Sequence, residues 1–253
     1  MSNTSTSLAS AFDQFFEIIP AETDALRDRV YRIRYQVYCE EMQFESKEDH
    51  PNGREIDDFD AHSVHGLLRH RPSGEFAGCV RLVLNHSQGR EPQLPLERYC
   101  SHSLDRSVLD LSQLDRRTFG EISRLAIVSR FRRRPGEAQT PHGVADEAAG
   151  LEPTERRVFP HIALGLYLAA AAMSLQRGMN MAVVMMEPRL ARHMRYFGIN
   201  FVKAGDIIDH HGMRGPFYIT KESLHRDIKP EIGELLSMVG RQLIDAGPPS
   251  QTA

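Results

Sequence analysis

The stretch Glu121-Ile-Ser-Arg124-Leu-Ala-Ile127 places a carboxylate and a guanidinium inside a run of otherwise apolar residues. Together with Val128, the apolar positions predict a strand that is buried on both faces. An ionised glutamate is strongly disfavoured in such a strand unless a cation pairs with it. The two charged residues therefore form either a buried ion pair that stabilises the fold or part of the wall of an active site. Polar clusters earlier in the sequence favour the active-site wall.

Composition sets broad limits on what the chain can be. The 253 residues suffice for one large domain or two small ones, and a net charge of -3 excludes a globally basic nucleic-acid binder but not a local basic patch. Cys39, Cys79 and Cys100 lack metal-site or disulfide spacing, which is typical of a reduced, cytoplasmic protein. Residues 1–10 show no signal-peptide pattern, and the apolar run 162–175 is too short to span a bilayer. We therefore expect peripheral membrane contact at most.

The order of predicted elements favours an α/β fold with one mixed sheet. The predicted helices cover residues 23–42, 159–177 and 189–197, the last two ending at Gly178 and Gly198. The predicted strands cover residues 63–69, 76–84, 121–128, 179–186, 200–203, 206–210 and 216–220, with a turn at 212–215. The segment 88–117 is expected to be irregular, with one short helix.

The predicted organisation is a single domain with loose ends. Residues 1–10 and 247–253 are polar or Pro-rich and are expected to be disordered. Residues 11–225 form the domain, and residues 226–246 form a C-terminal helix. Residues 131–158 contain few large apolar side chains, which favours a flexible loop or insertion within the domain.

Two arginines in apolar surroundings suggest a polar network. Arg34 borders the apolar stripe of the first predicted helix. An arginine in such a place either snorkels, that is, extends its charged end to water, or is held by a buried acid, and without further evidence the first case is the commoner. Arg81 lies within a predicted strand and needs a carboxylate partner, for which Asp57 and Asp60 are the nearest candidates. The predicted network around a polar pocket balances three basic and three acidic residues: Arg34, Arg81, Arg124, Asp57, Asp60 and Glu121.

Four motifs together resemble a known family. They are R-Y-Q-V-Y-C-E-E at 34–41, E-I-D-D-F-D at 55–60, G-C-V-R-L at 78–82 and E-I-S-R-L-A-I at 121–127. This combination is similar to that of acyl-homoserine-lactone (autoinducer) synthases, which have the GNAT acyltransferase fold. Residues 38–40, 132–134, 159–167 and 186–192 more closely resemble the exosortase-associated (PEP-CTERM system) acyltransferases, relatives of the N-acyl amino acid synthases. The resemblance extends over residues 25–222.

The resemblance implies a GNAT-like mixed central sheet with splayed central strands and flanking helices. It also implies transfer of a long fatty acyl group to the amine of an amino acid or similar acceptor, without a bound cofactor. The donor would be an acyl-phosphopantetheine thioester on acyl carrier protein, in preference to acyl-CoA. Residues that match the family's polar site positions are Arg34, Tyr38, Asp57, Asp60, Arg81, Glu121 and Arg124. Phe44 stands where autoinducer synthases commonly carry Trp, which favours an N-acyl amino acid product over a lactone; a non-catalytic module that binds an acyl carrier or lipid is the remaining alternative.

Acyl transfer to an amine needs a base and a stabilised oxyanion. A protonated amine must lose a proton before it attacks a carbonyl, and Glu121 is the first candidate to accept it. Strict strand alternation places Glu121 and Arg124 on opposite faces. If both line one site, the strand must contain a bulge, which we predict around residues 123–126 and which can supply an N–H donor to the oxyanion.

The arginines at the start of the predicted insertion have rival interpretations. Arg130, Arg132, Arg133 and Arg134 can bind nucleic acid, dock an acidic acyl carrier protein, or form a solvated basic loop. Only Gly136 follows them, so the Gly-rich turn that cradles coenzyme A in GNAT enzymes is missing, which favours the carrier protein.

Other candidate residues are weaker. Glu187 is a candidate for the pantetheine site, although a simple charge at a helix N-terminus is the commoner role of such a residue. His193, His210 and His211 lack a third partner at ligand spacing, so no metal site is predicted. Cys39 has no histidine beside it in sequence that would favour a nucleophilic thiol.

Overall fold

The computed structural model describes residues 7–85, 94–132, 155, 158 and 161–245. Within these ranges the α-helices are α1 (Leu8–Phe15), α2 (Asp24–Arg34), α3 (Pro95–Tyr99), α4 (Ile162–Gln176), α5 (Pro188–Met194), α6 (Lys221–Asp227) and α7 (Pro230–Asp245). The strands are β1 (Phe16–Pro20), β2 (Ser63–His70), β3 (Phe76–Leu84), β4 (Phe119–Ile127), β5 (Met181–Met186), β6 (Val202–Lys203), β7 (Ile208–Asp209) and β8 (Met213–Thr220).

The strands form one mixed sheet, as the sequence predicts. Their order is β1-β2-β3-β4-β5-β8-β6, and β7 pairs with β8 beside this path. The β4–β5 pair is parallel and the other pairs are antiparallel. The strands β2 and β3 form an antiparallel hairpin, and the chain passes from β4 through α4 to β5 in a parallel crossover.

Helices cover both faces of the sheet. A side chain on Gly66 of β2 would contact Val80 of β3 and Ala169 of α4, so α4 packs on the face that carries Val80. Since alternate residues point to opposite faces, Arg81 faces away from α4. On that second face its charged group meets partners from the chain that follows α2. The charged group of Arg81 and its carboxylate partners therefore lie on the face opposite α4.

A bulge interrupts the pairing of β3 with β4. Cys79 pairs with Ala126 and Arg81 with Ser123, so two residues of β4 oppose one of β3 between these pairs. Arg124 takes up the extra position with φ of 49°, a left-handed conformation that non-glycine residues rarely adopt. The bulge predicted around residues 123–126 is thereby confirmed.

The two central parallel strands separate beyond a short ladder. Pairing of β4 with β5 ends at Ile122 and Val184, although β4 continues to Ile127 and β5 to Met186. Over its last residues β5 stays paired with β8, up to the pair Met186–Gly215. The gap therefore opens between β4 and β5, where the resemblance implies splayed strands.

Several predicted boundaries need correction. The N-terminal segment expected to be disordered contributes residues 8–10 to α1, and β1 follows without a loop. The predicted C-terminal helix 226–246 is two helices, because α6 ends before Ile228 and α7 starts at Pro230, where a proline is tolerated. The predicted turn at 212–215 lies earlier, since β8 already begins at Met213.

Other predicted elements agree with the structure. The first predicted helix begins with Thr23 as N-cap of α2, but from Tyr35 to Glu41 it widens into π-helical turns. Gly178 and Gly198 end their helices with positive φ, as predicted. The insertion at 131–158, apart from residues 131, 132, 155 and 158, and the start of the helix at 159–160 lie outside the described residues.

Candidate active site

A cavity of about 370 Å³ opens where β4 and β5 separate. Its walls come from the π-helical turns and the loop after them, from β3, β4, β5 and α3, and from the start of β8. Seven of the predicted site residues or their immediate partners line it: Tyr38, Phe44, Glu55, Asp57, Arg81, Glu121 and Arg124. Residues far apart in sequence thus meet at one polar cavity.

Arg34 is fully buried behind the cavity wall and contacts Glu55, which lines the cavity. Its Nε donates to Glu55, and its two terminal nitrogens donate to the two Asp60 oxygens at 2.6 and 3.1 Å. The snorkelling interpretation is therefore wrong, because two buried acids hold the guanidinium. The last turn of α2 positions Arg34, and the loop that leads to β2 supplies both acids.

Arg81 and Arg124 extend the network along the sheet. Arg81 Nη1 contacts Asp57 at 2.6 Å and Asp60 at 2.9 Å, as predicted, and its Nε donates to the Ser123 hydroxyl at 3.0 Å. Arg124 reaches Glu55 at 3.0 Å, and it also contacts Glu45 at 3.0 Å and Asp57 at 3.4 Å. The acids that balance three guanidinium groups are thus Glu45, Glu55, Asp57 and Asp60.

The network stays ionised despite its burial. Burial by itself raises the pKa of Glu55, but the charges of Arg34 and Arg124 outweigh this effect and hold the pKa at about 2. In the same way burial raises the pKa of Asp60, while Arg34 and Arg81 lower it to well below its usual range. His65, beside this network, is neutral because burial lowers its pKa to about 3.

Glu121 does not join the network, which corrects the prediction of a three-against-three balance. Its side chain is 2% exposed, and one carboxyl oxygen accepts a hydrogen bond from the backbone N–H of Leu96 at 2.8 Å. Burial raises the pKa of Glu121 to about 8, although the Leu96 N–H partly opposes this shift. The carboxyl group thus avoids an unpaired buried charge by holding a proton near neutral pH. A carboxyl with this pKa is suited to exchanging a proton with a substrate.

The bulge shapes the backbone beside Glu121. The Tyr38 hydroxyl donates to the Leu125 carbonyl oxygen at 2.9 Å, which fixes the backbone after Arg124. Beyond Ile122 the β4 edge that faces β5 has left the ladder, and Ser123, Arg124 and Leu125 line the cavity there. Fixed N–H groups at such a gap can stabilise a developing oxyanion.

A second, narrow cavity of about 40 Å³ is almost entirely apolar. It shares Ile122 and Tyr167 with the polar cavity, so the two adjoin where the central strands part. Met179, Met181 and Met194 are among its walls. Flexible methionine side chains can rearrange so that the cavity admits an apolar ligand larger than its present volume.

The predicted carrier-binding arginines are only partly available. Arg132 has a side chain that is 6% exposed and paired with Glu41, so it cannot form an exposed docking charge in this structure. Arg130 is half-exposed and is paired with Glu75. Arg133 and Arg134 lie outside the described residues.

Glu187 lies outside both cavities described above. It stands at the N-cap position of α5, and its carboxylate contacts Arg189 at 2.6 Å. This geometry supports the simple N-terminal charge rather than a pantetheine contact. Cys39 is buried, and burial raises the pKa of its thiol to about 11, so the thiol is not activated.

Sequence reasoning missed three charged residues of the cavity. Glu55 stands in the acidic motif at 55–60 but is not among the predicted network residues, and Glu45 and Arg214 lie outside the motifs. For Glu55 the signal was its place in the same motif as Asp57, whereas the other two have no local signal. Among the described residues, no three His, Cys, Asp or Glu side chains cluster so as to hold a metal, and no helix is long and apolar enough to cross a membrane.

The fold is that of GNAT acyltransferases, with its mixed sheet and flanking helices. Residues 33–140 match the family model described as acetyltransferase (GNAT) domain. This region contains the last two residues of α2, one of which is Arg34, together with β2, β3 and β4, and therefore every arginine of the charge network described above. No curated protein matches the sequence.

Solved structures with the same fold include three of particular relevance. TofI, in a ternary complex with an inhibitor and MTA, aligns with a TM-score of 0.57 at 18% identity, over 85% of this chain and 99% of TofI. BjaI, a CoA-dependent acyl-homoserine lactone synthase solved with MTA, aligns with a TM-score of 0.56 at 17% identity, over 90% of this chain and 89% of BjaI. FeeM, an N-acyl amino acid synthase from uncultured soil microbes, aligns with a TM-score of 0.51 at 12% identity, over 84% and 94% of the two chains. At these identities the similarity concerns the fold.

Proposed function

We propose that this protein is an N-acyltransferase that moves a long fatty acyl group from an acyl-carrier-protein thioester to the amine of an amino acid or similar acceptor. The observation that carries the proposal is the pair of adjoining cavities at the gap between β4 and β5. One is polar and contains a buried acid with a pKa near 8, and the other is apolar. An amine acceptor suits the first cavity and an acyl chain the second.

The residues of the gap suit the steps of amide formation. The Glu121 carboxylate accepts a proton from the acceptor ammonium, and the free amine attacks the thioester carbonyl carbon. The C–N bond forms, and the oxyanion is held by backbone N–H groups of the β4 bulge. The C–S bond then breaks as the carbonyl re-forms, and the proton that the attacking nitrogen loses passes to the departing sulfur, so that pantetheine leaves as the thiol. The network of Arg34, Arg81 and Arg124 keeps the cavity wall rigid and charged, which holds the acceptor in place.

The acyl chain is expected to enter the apolar cavity. Ala171 lines this cavity and is only partly buried, so a larger side chain can be placed there. We expect Ala171→Phe to lower kcat/KM for a long-chain donor by about 10–100-fold, because the added ring fills the chain's space. Rates with donors of 4 to about 16 carbons would show the preference move to shorter chains, with Ala171→Val intermediate. An unchanged chain-length profile would place the acyl chain elsewhere.

The donor is proposed to be acyl carrier protein rather than coenzyme A. The missing Gly-rich turn supports this choice, as does the exposed basic surface of the segment after β5. Arg189, Arg192 and Arg195 are exposed there, directly after the strand whose last residues line the polar cavity. The test compares kcat/KM for the same acyl chain carried by acyl carrier protein and by coenzyme A. A higher kcat/KM for acyl-CoA would contradict the proposed donor.

The substrates can be identified together from cells. Lipids extracted from cells that overproduce the protein would be compared by mass spectrometry with those from cells that produce Glu121→Gln. We expect an amide-linked fatty acid only with the unaltered protein, and its mass gives both chain length and acceptor. An acyl-homoserine lactone would move the assignment to the lactone synthases. Identical extracts would favour a non-catalytic binding module. The association with exosortases remains a prediction from sequence.

A further inference from the structure

Arg214, at the start of β8, lines the polar cavity and has no counter-charge among the residues that the structure describes. Its Nε and Nη2 atoms are buried and have no hydrogen-bond partner, and no carboxylate within the described residues lies at ion-pair distance from it. Its guanidinium carbon lies 5.8 Å from the centre of the Phe44 ring, which is also part of the cavity wall. Part of a permanently charged group is thus withdrawn from water without compensation.

The other three arginines at this site are matched by acids. Arg34, Arg81 and Arg124 each contact at least two carboxylates. Glu121 lines the same cavity but retains its proton near neutral pH and offers Arg214 no negative charge. This difference in pairing between Arg214 and the other three arginines indicates that Arg214 binds an anion that is not part of the protein.

The two neighbouring histidines, His210 and His211, do not compensate the charge of Arg214. Burial lowers the pKa of His210 to about 4, and burial followed by the charge of Arg214 lowers the pKa of His211. Both rings are therefore neutral near pH 7. Glu45 approaches His211 at 3.9 Å but is engaged by Arg124. The region around Arg214 is left with positive potential facing the cavity.

We propose that Arg214 binds the carboxylate of the acceptor, which restricts the acceptors to amines that carry a nearby carboxylate group. This inference rests on the proposed transferase function and specifies its substrate class. The unpartnered Nε and Nη2 lie on one edge of the planar guanidinium, the edge that can donate two parallel hydrogen bonds to a carboxylate. Simple amines and esterified or amidated amino acids lack that charge and are poor acceptors.

The position of Arg214 also orients the acceptor. Arg214 belongs to β8, which pairs with β5 on one side of the gap, whereas Glu121 belongs to β4 on the other side. An amino acid held at its carboxylate by β8 presents its amine towards the gap, where the proposed base and the thioester meet. Arg214 is thus a binding residue that determines specificity.

The test uses two product-like probes that differ only in charge, N-octanoylglycine and N-octanoylglycinamide. Calorimetry on the full-length protein is expected to show about 10–150-fold tighter binding of the acid, because a charge-assisted hydrogen bond is lost in the amide. In Arg214→Met the ratio of the two affinities is expected to fall to about one. Arg226→Met is the matched control, since Arg226 is exposed and paired with its neighbour Asp227.

A second readout separates this role from a structural one. Because Arg214 Nε and Nη2 have no partner among the described residues, Arg214→Met is expected to raise the midpoint of thermal unfolding of the ligand-free protein, whereas loss of a structural ion pair would lower it. A lowered midpoint, an unchanged affinity ratio in the variant, or no preference for the acid in the unaltered protein would overturn the assignment, as would no binding of either probe.

Transfer assays distinguish failure of this inference from failure of the proposed function. If the protein acylates glycine and glycinamide with equal kcat/KM, the transferase stands and the role of Arg214 is wrong. If no acceptor is acylated but the acid probe still binds through Arg214, the carboxylate site stands and the transferase is wrong.

Discussion

Replacing Glu121 with Gln is expected to lower kcat/KM for acyl transfer by about 10²–10⁴-fold, the usual contribution of a general base. The amide is similar in size and its oxygen can still accept the hydrogen bond from Leu96, but it cannot accept a proton. Initial rates of thiol release at fixed donor and acceptor concentrations measure the effect. Glu40→Gln, on an exposed side chain outside the cavity, is the control and should keep the full rate.

The same substitution should not weaken the fold. The pKa of Glu121 is raised from 4.5 to about 8 on folding, so between these values the folded protein holds a proton that the unfolded chain releases. Stability therefore falls as the pH rises through this window, and Gln removes that loss. We expect the variant to be at least as stable as the unaltered protein at pH 7–8. A variant that both loses activity and unfolds would indicate a structural role instead.

The pH dependence of the rate provides a separate check. The basic form of Glu121 becomes dominant only above its pKa of about 8, so kcat/KM should rise with pH and approach a plateau above that value. In Glu121→Gln this contribution should vanish and leave only the titration of the acceptor amine. Profiles of the two proteins that run parallel across pH 6–10 would rule out Glu121 as the base.

Replacing Arg34 with Met is expected to destabilise the protein by about 3–5 kcal/mol, because it leaves buried carboxylates with less compensation. Glu55 and Asp60 both depend on Arg34, and neither can reach water easily. Urea unfolding measures the change. The control is Arg32→Met on the same helix, whose exposed ion pair with Asp28 should contribute less than about 1 kcal/mol. A loss below about 1 kcal/mol for Arg34→Met would contradict the assigned role of the network.

Acid should weaken the same network. Folding lowers the pKa of Glu55 from 4.5 to about 2, so its contribution to stability is complete above the unfolded value and is lost as the pH falls towards 2. Arg34→Met should raise this pKa and flatten the acid dependence of the unfolding free energy. An unaltered slope between pH 5 and 2 would show that Arg34 does not hold this carboxylate ionised.

Much of the fold was predictable because its signals are local. Alternating apolar runs bounded by turns marked β2 and β3, and the charged pair in β4 required a bulge if both side chains served one site. The segment from α1 to β1 carries no clear local signal, because β1 becomes a strand through its pairing with β2 some fifty residues later. Such pairing leaves little trace in the short segment itself.

The site was predictable as a set of charges but not in its pairing. Arg81 was correctly assigned to Asp57 and Asp60, since a strand-embedded guanidinium needs nearby acids. The segment between residues 40 and 60 holds many acids, and only packing selects Glu55. The proton on Glu121 depends on burial beneath α3. Sequence order alone does not determine that contact.

The central claim is that the gap between β4 and β5 forms an amide bond with Glu121 as base. The most direct measurement incubates the purified protein with one acyl-acyl carrier protein and a mixture of the common amino acids, and follows free thiol and N-acyl amino acid together by mass spectrometry. The account predicts one amide per thiol released, with both products strongly reduced in Glu121→Gln. Thiol release without amide, or equal amide yields from both proteins, would contradict it.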